Sequence, residues 1–104
     1  MVRVEQGKTF LSDASTQFYH FAEAEEWTRI DRLAEDVASL QARLAYFPQL
    51  GRELARDKQL TLRRIGVGRL PYLVWYLWDP RGGGSIEMQR IFHSHQRTPK
   101  PRLR

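Results

Sequence analysis

Residues Leu62 to Arg97, LRRIGVGRLPYLVWYLWDPRGGGSIEMQRIFHSHQR, constrain the fold more than any other stretch. At their centre, Tyr72 to Trp78 is apolar on both sides of an extended chain. Leu73, Trp75 and Leu77 point one way; Tyr72, Val74, Tyr76 and Trp78 point the other. Such a strand belongs in the interior of a sheet, covered on both faces or with one face reserved for a partner. Gln59 to Ile65 reads as the strand before it, with Gly66-Val67-Gly68 as a hairpin turn. The turn-rich DPRGGGS of Asp79 to Ser85 leads into a last strand, Ile86 to His93. Gly66-Val67-Gly68 is no dinucleotide fingerprint, because Pro71 holds the third glycine position and a strand follows instead of a helix.

The N-terminal half has a different period. Val2 to Glu5 alternates as a short first strand that Gly7 closes. Thr9 or Ser12 offers an N-cap, and Asp13 suits the first turn of a helix. Phe10, Leu11, Ala14, Phe18, Phe21 and Ala22 carry that helix to about Ala24. Ile30, Leu33, Val37, Leu40, Leu44 and Phe47 form the apolar stripe of a second helix, which Pro48 and Gly51 stop. The stripe is too short for a coiled-coil seam and is expected to pack on the first helix and the sheet. Gln49 to Lys58 is polar and reads as a connection with a turn of helix. The expected fold is α+β: an N-terminal helical hairpin on a small antiparallel sheet of three to four strands. A chain of 104 residues makes one domain, set at residues 1–97, followed by a flexible basic tail, 98–104, in which Pro99 and Pro101 forbid regular structure.

Composition removes several functions. Without cysteine there is no disulfide, thiolate metal site or cysteine nucleophile. MVRVEQGKTF does not read as a signal peptide, and the longest apolar run, Leu70 to Trp78, is too short to span a bilayer. A cytoplasmic protein without membrane contact is expected. The net charge of +5 favours an acidic partner, nucleic acid or protein. Its distribution is uneven. Residues 23–36 hold six acids against Arg29 and Arg32, whereas Arg90 onward contains arginine and lysine and no acid.

The chemistry-bearing residues gather at the end of the last strand. His93 and His95 share a face if the strand continues, Arg90 and Arg97 flank them, Gln96 lies between, and Arg63 and Arg64 come from the first sheet strand. A metal is disfavoured, since no third ligand accompanies His-x-His and the surroundings are cationic. Imidazole and guanidinium together could cleave RNA without metal, a base taking the ribose 2′-OH proton while arginine stabilises phosphate charge. The same group could instead bind an anionic surface of nucleic acid or protein. The bland alternative is a solvated strand end with ordinary surface arginines.

In order and spacing, these motifs resemble the RelE/ParE superfamily of bacterial type II toxins. The similarity is carried by Phe47-Pro48-Gln49-Leu50-Gly51-Arg52 after the long helix, Leu62-Arg63-Arg64-Ile65, Pro71-Tyr72-Leu73-Val74-Trp75-Tyr76, and the terminal run Arg90 to Arg97. The resemblance implies a helical hairpin packed on a twisted antiparallel sheet. It also implies an adjacently encoded, acidic and partly disordered antitoxin, for which Tyr72, Tyr76 and Trp78 would be a seat. Two activities compete. RelE-like members are ribosome-dependent mRNA endonucleases, for which Arg64, Arg90, His93, His95 and Arg97 would serve here. ParE-like members inhibit DNA gyrase by binding, with Arg90, His93, His95, Gln96, Arg97 and Lys100 as contacts. No tyrosine follows Tyr76, and RelE-like sites often use one near the C-terminus, so the resemblance tilts toward ParE, toward binding, and toward no cofactor. A third reading is a non-toxic basic nucleic-acid-binding module.

Overall fold

A computed structural model describes residues 1–96, 100, 101 and 103. Its elements in chain order are strand β1 (Arg3–Gln6), helix α1 (Lys8–Glu23), helix α2 (Trp27–Tyr46) and strands β2 (Arg52–Asp57), β3 (Leu60–Gly66), β4 (Tyr72–Asp79) and β5 (Ser85–His93). The strands form one sheet in the order β1-β5-β4-β3-β2. β1 runs parallel to β5, and every other pairing is antiparallel. The α+β class is therefore correct, but the sheet has five strands rather than three or four, and it is mixed rather than antiparallel.

The missed strand is β2, RELARD, inside the polar stretch taken as a connection. It is a sheet edge where only Leu54 and Ala55 are partly buried, so it shows no apolar alternation. α1 begins at Lys8 with Gly7 as its cap, not at Thr9 or Ser12. Asp13 consequently lies beyond the first turn, where it does other work. In α2 the apolar stripe is buried at Leu33, Val37, Leu40 and Leu44, but Phe47 lies past the helix end and is exposed. No helix among the described residues is long and apolar enough to cross a membrane.

β4 is central, as its composition demands. Tyr72, Val74, Tyr76 and Trp78 pack with Phe10 of α1 and with Leu33, Val37, Leu40 and Leu44 of α2. Tyr72, Tyr76 and Trp78 are only 6%, 0% and 8% exposed. Both helices thus cover the face that was read as a partner's seat, and the chain itself occupies it. The other face is built on Leu62, Trp75, Leu77 and Phe92. Leu54, Ala55, Leu60 and Leu73 of the sheet flank these four, and Leu103, from outside the sheet, packs against them.

One tyrosine ties the sheet to the end of α2. The buried Tyr76 hydroxyl donates to the Pro48 carbonyl (2.8 Å) and accepts from the Gly51 amide (2.8 Å). Arg63, 9% exposed, donates to the carbonyls of Gly51 (2.8 Å) and Gln49 (3.3 Å). Position 51 must be glycine for steric reasons: a Cβ there would lie 2.8 Å from the Tyr76 ring and 2.9 Å from the Arg64 carbonyl.

Burial raises the Tyr76 phenol above the usual tyrosine value, against smaller opposing contributions from the Gly51 hydrogen bond and Arg63. The folded state favours the neutral phenol. The associated stability is fully present below the ordinary tyrosine pKa and is lost as pH rises through the higher folded value. Tyr76→Phe should cost about 1–3 kcal/mol near neutrality by leaving the Gly51 amide and Pro48 carbonyl unpaired. It should also weaken the alkaline loss of stability, measured as urea midpoints against pH. Leu44→Ala, a large-to-small change at a fully buried site, should cost about 2–5 kcal/mol in the same assay.

Candidate functional site

The strand register brings Tyr72, at the start of β4, opposite His93, at the end of β5. Beyond it the chain turns: the Ser94 amide donates to the Pro71 carbonyl (2.7 Å) and the Gln96 amide to the His93 carbonyl (2.9 Å). Gln96 brackets this turn from its other end, accepting from the His93 amide (2.6 Å) and, more weakly, from Gln17 of α1 (3.4 Å). Gln17 in turn accepts from the Tyr72 hydroxyl (3.0 Å). The rings are packed edge-on: Tyr72 to His93 at 5.3 Å between centroids, Tyr72 to Phe21 at 6.4 Å. His93 and His95 lie 5.1 Å apart, tilted by 30°.

Beside this cluster a cavity of about 320 Å³ opens between α2 and the strand ends. Phe21, Arg29, Arg32, Leu33, Tyr72 and His93 are among its walls. Its volume lies at the low end of ordinary ligand sites, about 300–1,000 Å³. Burial pushes the Tyr72 phenol up; Arg29 opposes that and Glu26 adds to it. Arg29 pairs with Glu26 at 2.7 Å on the surface. Arg29 and Arg32 lie within the acidic stretch 23–36, where sequence alone does not single them out. Their i, i+3 spacing, next to Leu33 on the apolar stripe, was the available signal.

The predicted rim is only partly assembled. Arg90 is taken by Asp13 of α1, with Nε to Oδ2 at 2.7 Å and a second contact at 3.3 Å. The same carboxylate accepts from the Ile91 amide at 3.1 Å. β1 pairs with β5 only as far as Met88, so Asp13 closes the strand edge that β1 leaves open. Arg64 stands opposite Trp75 in β3. Alternation puts it on the Leu62 face, whereas His93 shares the Tyr72 face, so the sheet separates the two. Arg63, read beside it as part of the rim, is instead buried under the loop at 49–51. His95, Gln96 and Lys100 are exposed. Arg97 lies outside the described residues, as do Thr98, Pro99, Arg102 and Arg104 of the tail.

His93 has a defined proton arrangement. Its Nδ1 accepts from the His95 amide at 3.1 Å, so the neutral ring carries its proton on Nε2. That imidazole can donate to an anion from Nε2, and in this arrangement Nε2 has no lone pair free to accept a proton. No side chain among the described residues hydrogen-bonds the His95 ring to orient it. No group of three metal-ligating side chains occurs among the described residues either. Arg29, Arg32 and the His93 ring line one cavity, a set of donors that can hold an anion. A scan against protein-family models and a search of curated proteins both return no match.

The Asp13 contact is testable by itself. Asp13→Ala should lower stability by about 1–2 kcal/mol, a charge-assisted bond discounted for partial exposure. Adding Arg90→Ala to that variant should cost less than Arg90→Ala alone, since a double-mutant cycle isolates the pair. Equal costs of Arg90→Ala in both backgrounds, by urea unfolding, would mean the two side chains do not interact.

Proposed function

We propose that this chain is the toxin of a type II toxin-antitoxin system, ParE-like in action, which acts in the bacterial cytoplasm by binding DNA gyrase rather than by cutting RNA. The motifs from Phe47 to Arg97 support the toxin assignment. One observation carries the choice of binding over cleavage: the His95 amide occupies His93 Nδ1, which engages the ring nitrogen that would take the ribose 2′-OH proton. The separation of Arg64 from His93 by the sheet and the Arg90–Asp13 pair point the same way. Exposed His95, Gln96 and Lys100 remain as target contacts, with Arg97 beside them in sequence. The antitoxin would be an acidic segment encoded adjacently; the Leu62, Trp75, Leu77 and Phe92 face is itself buried, so that segment reaches it only by displacing Leu103.

The cavity favours a second reading. Arg29, Arg32 and His93 line it together, and donors of that kind suit a phosphate in a RelE-like endonuclease, where His93 would act as acid as the imidazolium with Nδ1 released from the His95 amide. Induction of the chain alone in bacteria should arrest growth, and the purified protein should block gyrase supercoiling while leaving ribosome-bound mRNA intact. Codon-positioned cuts that disappear in His93→Ala would overturn the gyrase reading. Normal growth from intact, expressed protein would favour a non-toxic binding module.

A further inference from the structure

Exposed large apolar side chains stand singly at Leu11, Tyr19 and Trp27, and as a run where α2 ends. Tyr46, Phe47 and Leu50 are 67%, 64% and 46% exposed. Met1, 89% exposed, is brought to the same end because the Val2 amide donates to the Ala45 carbonyl at 2.9 Å. Scattered exposed hydrophobes need no explanation, whereas a group of them marks a contact surface. The backbone beneath is fixed from the core by Tyr76 and Arg63, and the Leu50 amide closes a turn onto the Phe47 carbonyl at 3.1 Å. A loop held in this way does not withdraw its apolar groups by collapsing, and a partner that binds it has little ordering entropy to overcome.

We propose that residues 46–50 form a docking surface for a protein segment that carries apolar anchors among carboxylates. Charge selects that partner. Exposed Arg43, in the last turn of α2, and exposed Arg52, at the start of β2, flank the loop. The carboxylate nearest in sequence, Glu53, is already bonded to Arg56 at 2.7 Å and lies 3.8 Å from Arg63. Aromatic residues, methionine and arginine are also the types that interfaces enrich. A second copy of the chain does not suit the surface, because a two-fold contact would bring the flanking arginines of two molecules of charge +5 together. This surface is separate from the His93 cluster, and the inference stands without the toxin reading.

The test is a random-peptide display library panned on the purified full chain, with the site of each enriched peptide read from amide chemical shifts. Enriched peptides should combine Asp or Glu with aromatic or leucine residues and should shift the amides of Tyr46, Phe47 and residues 49–52. They should lose more than about tenfold in affinity on Phe47→Ala with Leu50→Ala, the loss expected on truncating interface anchors. Both positions are exposed, so the variant should keep the parent's melting temperature. No enrichment, or peptides that instead shift Arg29, Arg32 and His93, would overturn the proposal. So would a dimer in sedimentation equilibrium that Phe47→Asp returns to monomer, since the occupant would then be a second copy.

Discussion

The hydroxyl of Tyr76 is the contact on which the arrangement of this molecule depends. It sits in the middle of the central strand, fully buried, and holds both ends of the turn that follows the long helix. A hydroxyl in such a place must find partners or be strongly destabilising. Here its partners are the Pro48 carbonyl and the Gly51 amide, so forming the core also fixes where the chain leaves α2 and where β2 begins. Arg63, from the neighbouring strand, satisfies two more carbonyls of the same turn. Glycine at position 51 follows from how closely the ring approaches the backbone.

From that tie the molecule divides into two kinds of surface. On the helix side, α1 and α2 bury β4, with a cavity beside His93. On the other side the sheet keeps its own apolar cluster with Leu103 against it. Asp13 links helix and sheet a second time, by closing the β5 edge and neutralising Arg90. Arginine counted as a free cation from sequence is thus structural in two places, Arg63 and Arg90. What remains near His93 is an imidazole held in one tautomer and a pair of arginines on α2. That set is suited to holding an anion, and it lacks an oriented base.

Much of the fold was legible in the chain, and the failures have physical causes. Leu33, Val37, Leu40 and Leu44 announce α2 because their 3.6-residue period survives any tertiary arrangement. Tyr72 to Trp78 announces a central strand because no other setting buries both its faces. β2 was invisible, since an edge strand with only Leu54 and Ala55 among charged residues carries no alternation, and the parallel pairing of β1 with β5 is a long-range choice that local residues do not encode. The candidate site was half legible. His93 stood out by type, but its cavity partners Arg29 and Arg32 lie far away in sequence among acids. Which face Arg64 takes depends on register, which the residues alone leave open. The exposure of Phe47 was hidden for a related reason: it continues the apolar spacing of α2, yet the helix stops one residue before it.

The account rests most directly on the backbone clamp at Gly51, which native-state amide hydrogen exchange measures at a single site. The Gly51 amide should exchange as slowly as the amides of β4 and open only with global unfolding, and Tyr76→Phe should remove that protection. Exchange at Gly51 as fast as at the exposed glycines of the β4–β5 loop would contradict the account, because the turn would then not be held by the core.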